Sequence, residues 1–375
     1  MEGYNNSMRI PVSRPYFWGD ERNLLLEAFD GGWISSQGAF VSQFESGFAS
    51  EVGVTHAIAT CNGTCALQLL FAALGIQAGD EVIVPDFVMM APIFALLHCG
   101  ATPIPVDADE TWNMDPGQIE SRITNRTVGI LAVHTYGHPS NMGAIAGIAS
   151  RHNLLLVEDA AEAHGAKVDG RQVGTFGIAS VFSFYANKII TCGEGGIVVT
   201  NDDALASRLR SLRNMCFGDS DETRFVHASV GFNFRMSNMH AAIGVAQLRH
   251  LDAAIADRRR IAQSYRSGLD GISGIVCPPQ ASWADAVNWV YGVLVNDDCA
   301  VSRQEMQQYL QRNGIETRRF FTPLHDQPFM TKDTHRHSYT VSSRLCSQGL
   351  YLPTYVGLVN DDIARITHTV RSIST

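Results

Sequence analysis

Between residues 55 and 200, short runs of β-branched and apolar residues alternate with stretches whose apolar positions return every three or four residues. The short runs at 54–60, 81–85, 102–106, 129–134, 154–159, 181–185 and 196–200 read as strands. The stretches 65–74 and 91–99 between them read as helices. Strands that alternate with helices predict a mostly parallel sheet covered on both faces. Past residue 236 the texture changes. Residues 236–268 form one nearly unbroken helical pattern, with Ala241, Ala242, Val245, Leu248 and Leu251 at helical spacing. After Pro278 and Pro279, residues 288–295 read as a strand and 302–313 as a helix. Ser302 followed three residues later by Glu305 is a capping box at the start of that helix. The expected architecture is a large mixed-sheet α/β domain over residues 1–245. Its first forty residues are expected to pack on that domain or on a partner chain. A linking helix and a smaller α+β domain over residues 246–375 follow.

Composition narrows the function. The 375 residues carry a net charge of −9, which is unsuited to coating nucleic acid or an anionic membrane. An anionic ligand would need a local pocket. The longest apolar run, 87–97, is too short to span a bilayer, and the opening residues lack the blocks of a signal peptide. The eight cysteines are scattered, without a Cys-x-x-Cys pair, and read as reduced thiols of a cytoplasmic protein. Arginines recur at 208, 210 and 213, at 258–260, and at 318–319, the first two groups reading as solvated helix faces. His134 and His138 are four apart at a loop start, and His335 and His337 sit in a polar stretch, so no metal site is expected.

Three segments carry chemistry. Lys188 stands between two apolar runs and just before the glycine-rich turn Gly193-Glu194-Gly195-Gly196. Taken alone it reads as a solvated strand-end lysine, yet a desolvated lysine is a usable nucleophile toward an aldehyde cofactor. Asp159 and Glu162 follow the buried strand 154–159, at the edge where open α/β sheets bind ligands. Thr60-Cys61-Asn62-Gly63-Thr64 lies between a strand and a helix, where free backbone N–H groups can meet a phosphate. Singly, the turn reads more readily as an ordinary helix cap by Asn62 or Thr64, and Asp159 reads equally well as one. Together, in this order along one domain, they supply a phosphate cradle, a partner for a pyridine nitrogen and a Schiff-base lysine, the needs of pyridoxal phosphate (PLP).

These residues resemble the PLP-dependent aminotransferases that act on nucleotide-linked keto sugars, the DegT/DnrJ/StrS type. The marks are Cys61-Asn62-Gly63-Thr64, Gly79 to Pro85, Val133 to Gly137, Glu158 to Ala163, Asn187-Lys188 and Gly231 to Met236. The resemblance implies PLP fold type I, the aspartate aminotransferase fold. It implies that Lys188 is catalytic, that Gly63, Thr64 and Ser183 hold the phosphate, that Asp159 meets the pyridine nitrogen and that Glu162 lies near the ring hydroxyl. Asn233 would reach the phosphate in the neighbouring subunit, which makes a homodimer necessary. Trp33, Ser35, His325 and Arg319 would lie near the sugar or nucleotide, and Arg235 or Arg319 would meet the carboxylate of the donor. Within the family, Glu162 and the stretch 187–191 look most like members that use L-glutamate to aminate C4 of GDP-4-keto-6-deoxymannose for O-antigen sugars, with the cofactor passing through its pyridoxamine form (PMP).

Two positions depart from the pattern. Met89 stands where the family stacks an aromatic ring on the cofactor, and Phe87 could replace it only with a shift of register. Arg319 stands where close relatives have proline. Other acceptors, a different keto sugar or a keto-cyclitol, stay open. A PLP sugar dehydratase would carry histidine at the position of Lys188. A dinucleotide-dependent dehydrogenase would need a Gly-x-Gly-x-x-Gly turn that Asn62-Gly63-Thr64 does not supply. A non-catalytic relative would be expected to have lost Lys188 or Asp159.

Overall fold

A computed structural model describes residues 9–218, 220–330 and 338–374; His335 and His337 lie outside them. Its centre is a seven-stranded sheet. Across the sheet the strands run His56–Thr60, Gly196–Thr200, Ala179–Ser183, Leu155–Asp159, Thr127–Val133, Glu81–Pro85 and Thr102–Val106. Gly196–Thr200 is antiparallel to both neighbours, and the other four pairings are parallel. The parallel strands are near-continuous apolar runs because both faces are covered. Helices Gly63–Leu74, Ala91–His98 and Asp203–Arg213 cover one face, with a core that includes Leu70, Ile93 and Leu209. The other face holds a cluster in which Phe44, Phe48, Phe182 and Phe184 pack edge to face.

The long helical pattern at 236–268 is two helices, Asn238–Leu248 and Leu251–Leu269. No proline or glycine breaks it. The break is tertiary: the His250 ring stacks on Trp18 at 4.8 Å, and the Gln247 side chain donates to the Tyr16 carbonyl at 2.9 Å and to Glu21. The early helices Asp20–Asp30 and Ala39–Val52 both pack on Asn238–Leu248. Ile10 instead joins the C-terminal body, bridging to Ile315 and sharing its core. That body is a four-stranded sheet, Ile275–Val276, Tyr291–Val295, Gly349–Leu352 and Arg318–Arg319 in spatial order, packed against helices Leu251–Leu269, Arg303–Arg312 and Asn360–Ser374. The capping box is present, with Glu305 accepting from the Ser302 backbone at 2.8 Å.

The arginine groups are not all solvated. Arg213 pairs with Glu45 and donates to the Ala59 carbonyl, both at 2.6 Å, which fastens a helix to the first strand. Arg258 is 2 % exposed and donates to the carbonyls of Trp289 and Thr354. Among the described residues, no helix is long and apolar enough to cross a membrane.

Candidate active site

A cavity of about 570 Å3 opens at the carboxyl edge of the parallel strands. The sheet delivers its floor. Asp159 ends its strand, and Ser183 ends the next one. Asn62 caps helix Gly63–Leu74 by accepting from Cys65 N at 2.8 Å, which leaves Gly63 and Thr64 with N–H groups free of intrahelical acceptors. Backbones meet closely here. A Cβ at Gly63 would press on Ser183 Cβ at 3.0 Å, and one at Gly196 would clash with the Asn62 carbonyl. Glycine is therefore required at 196, and a side chain at 63 would have to push Ser183 aside.

Lys188 Nζ lies 3.7 Å from Glu162 Oε1, and Glu162 Oε2 accepts from Tyr136 N at 2.8 Å. Burial pushes the Glu162 carboxyl up to about 7, against the pull of Lys188. Burial pulls the Lys188 amine below its ordinary value, opposed by Glu162 and Asp159. Asp159 is raised by burial, opposed by the Ala161 N–H and the Lys188 charge. A buried carboxylate with one backbone donor, at 3.0 Å, suits a further cationic partner.

Two polar groups of this cavity are orphaned. Thr135 Oγ1 and Asn187 Oδ1 are buried with no hydrogen-bond partner among the described residues, and both residues line the cavity. Such atoms call for a polar ligand. A phosphorylated hydroxypyridine matches the free N–H groups and the carboxylates that line this cavity.

Gly63, Thr64, Met89, Asp159, Glu162, Ser183 and Lys188 thus share one cavity. Met89 is 49 % exposed there, while Phe87 is buried against Tyr136 and Phe320, so the register does not slip. The remaining candidates lie elsewhere on this chain. Asn233 is exposed and bridges to Asn214. The backbone carbonyls of Trp33 and Ser35 receive the Asn238 side chain and N–H at 2.7 and 2.6 Å, beside a separate groove. Arg319 is exposed and bonded to Thr322, and Arg235 is held by Ser36 and Asn214. His325 is fixed to Asp86. Trp289, which also lines the cavity, carries no motif that would single it out.

His134 and His138 are structural. His134 Nε2 donates to Glu158 at 3.2 Å and its Nδ1 accepts from Ser140 N, while His138 Nδ1 donates to the Pro139 carbonyl at 2.9 Å. No group of three metal-ligating side chains occurs among the described residues. All eight cysteines are free thiols.

Fold and cavity together define a PLP-dependent enzyme of fold type I. The chain belongs to the DegT/DnrJ/EryC1/StrS aminotransferase family, whose model matches residues 18–371. It is 42% identical over 364 residues to a GDP-perosamine synthase of Caulobacter vibrioides, covering 96% of each chain. It is 39% identical over 362 residues to that of Escherichia coli O157:H7, covering 96% of this chain and 97% of the other. Among solved structures, DesI in the presence of its TDP-sugar product superposes with a TM-score of 0.90 at 33% identity, over 98% of this chain and 93% of that one.

Proposed function

We propose that this enzyme moves the amino group of L-glutamate to the C4 keto group of GDP-4-keto-6-deoxymannose, giving an amino sugar for glycan assembly. The observation that carries the chemistry is the meeting of Lys188, Glu162 and Asp159 in one cavity below a free helix N-terminus. Full-length similarity to two GDP-perosamine synthases supports the sugar. The eight free thiols suit a reducing cytoplasm.

Bound PLP supplies an electron sink for the substrate carbon. Asp159, by its negative charge, holds a proton at the pyridine nitrogen. The N–H groups of Gly63 and Thr64, with the Ser183 hydroxyl, bind the phosphate. Glu162 fixes the ring hydroxyl and keeps Lys188 Nζ within reach. Lys188 takes a proton at one carbon and returns it at another, as a general base and then an acid, and burial, which lowers its proton affinity, eases the loss of its own proton. Asn233, exposed on its own chain, would serve the phosphate in a second copy, so the active form is a homodimer with shared sites.

The test is a spectral cycle on the PLP-loaded protein. L-glutamate should bleach its visible band, and GDP-4-keto-6-deoxymannose, added after the donor is removed, should restore it. Bleaching without recovery would discard this sugar and favour another keto acceptor, such as a TDP-linked one. Unaltered turnover in Lys188→Ala would overturn the role of the lysine.

A further inference from the structure

Lys188 has a third neighbour that the amino-transfer reading does not use. Its Nζ lies 3.8 Å from the centre of the Trp289 ring, on the ring face. The same indole donates through Nε1 to the carbonyl of Asn187 at 2.7 Å, the residue just before the lysine. One side chain therefore grips both the backbone and the amine of the 187–188 step. Trp289 is itself 6 % exposed and comes from the segment leading into strand Tyr291–Val295 of the C-terminal sheet. Its carbonyl accepts from Arg258 Nη1 at 2.8 Å, and the same nitrogen binds the Thr354 carbonyl.

Arg258 needs an explanation on its own account. It is fully enclosed, 2 % exposed, in helix Leu251–Leu269, and its bonds run to carbonyls rather than to a carboxylate. Burying a guanidinium costs free energy that two carbonyls offset only in part. What the arrangement provides is geometry. A planar donor ties two loops to a helix, and one of those loops presents the indole to the lysine.

We propose that Trp289 is the positioning residue of Lys188, and that buried Arg258 is the anchor holding Trp289 in place. The C-terminal body thereby sets where the amine rests while it is unengaged, and stabilises it there as an ammonium ion. The inference rests on the assignment of Lys188 as the cofactor lysine. The other ionisable groups that face the amine are Glu162, Asp159 and His164. The two carboxylates favour the charged amine, and the neutral, buried imidazole carries no charge to offset.

The experiment measures Lys188 itself rather than turnover. Full-length protein, with and without PLP, is trace-labelled with acetic anhydride across a pH series, and Lys188 acetylation is quantified by peptide mass spectrometry. In wild type, PLP should protect Lys188. Without PLP, Trp289→Leu should lower the labelling midpoint by about one pH unit, read as roughly tenfold faster labelling at a fixed pH below the midpoint. Trp289→Phe keeps a π-face and should move it by less than half as much. Arg258→Lys, which loses the planar donor, should shift it in the same direction. If the leucine variant does not fold, Trp289→Met, with similar bulk and no π-face, gives the same comparison. A midpoint unchanged in folded Trp289→Leu or Trp289→Met would overturn the positioning role while leaving the cofactor reading intact. A midpoint unchanged in a destabilised Arg258→Lys would overturn the anchor. Failure of PLP to protect wild-type Lys188 would remove the cofactor reading, and with it the reason for the contact.

Discussion

Asp86 accepts two hydrogen bonds from His325, one from its backbone N–H at 2.9 Å and one from ring Nδ1 at 2.7 Å. The carboxylate follows strand Glu81–Pro85 directly and is wholly buried, so a turn 239 residues further along the chain is clamped to the large sheet. The ring also stacks on Tyr339 at 4.7 Å. His325 itself does not line the cavity, while Phe321, four positions earlier on the same turn, does.

Burial alone would pull the His325 imidazole down, and the Asp86 carboxylate reverses this and leaves it above its ordinary value. A raised imidazole contributes stability that is full below about pH 6.5 and lost as pH rises through the folded value. His325→Gln should therefore cost about 1–3 kcal/mol at pH 6, and less at pH 8. Urea unfolding at the two pH values checks this, and an equal loss at both would refute the charged pair.

Asp159→Asn keeps the shape of the strand end and removes its charge. The substitution should lower turnover by roughly 10²- to 10³-fold, the order expected when one partner of a buried charge pair is neutralised. Circular dichroism of bound PLP separates loss of chemistry from loss of binding. Unchanged turnover would remove Asp159 from the site.

Glu162 gives a sharper pH test. Its carboxyl titrates at about 7 in the fold against an ordinary 4.5, so between those values the native chain keeps a proton that the unfolded chain releases. The stability this contributes is full below pH 4.5 and is lost as pH rises through about 7. Over that window the loss is on the order of 3 kcal/mol. In the cofactor-free protein, Glu162→Gln should flatten the fall in unfolding free energy across this range. A slope identical to wild type would place the titration elsewhere.

Met89 leaves half of its surface to the cavity and turns its sulfur back to accept from Ala91 N at 3.0 Å. Replacing it by tryptophan restores a flat aromatic face at this position. Met89→Trp should slow PLP or PMP loss by about 2- to 10-fold, measured by dialysis against buffer or by competition with a scavenging apoenzyme. Equal or faster loss would mean that the cofactor ring does not lie over residue 89.

The parts legible in the sequence are those with local signatures. Asn62-Gly63-Thr64 announces a helix start, 154–159 a buried strand, and Lys188 an isolated amine, and the three do converge. The strands 81–85, 102–106 and 196–200 fall where alternation of period and β-branched runs put them. What stayed hidden depends on partners far along the chain. Nothing in the sequence around His250 signals a break, because Trp18 and Tyr16 cause it. Arg258 looks like any helix-face arginine until two carbonyls from distant loops enclose it. Trp289 reads as one more apolar strand residue, since its indole points at a segment 102 residues earlier. Trp33 and Ser35 lie away from the cavity of their own chain, and the local pattern could not say so.

The antiparallel strand Gly196–Thr200 carries a consequence for how the enzyme comes into being. It sits between His56–Thr60 and Ala179–Ser183, with the Gly196 backbone pressed against Asn62 and Gly63. Until that strand is inserted, the phosphate turn and the lysine segment belong to two unjoined edges. A nascent chain that ends just after Lys188 therefore carries Gly63, Thr64, Asp159, Glu162, Ser183 and the lysine, but no closed sheet to bring them together. Pairing residues 140 apart closes late, because so long a loop must be ordered first. Cofactor binding then favours only the finished sheet, and its free energy secures the final closure rather than guiding the early steps.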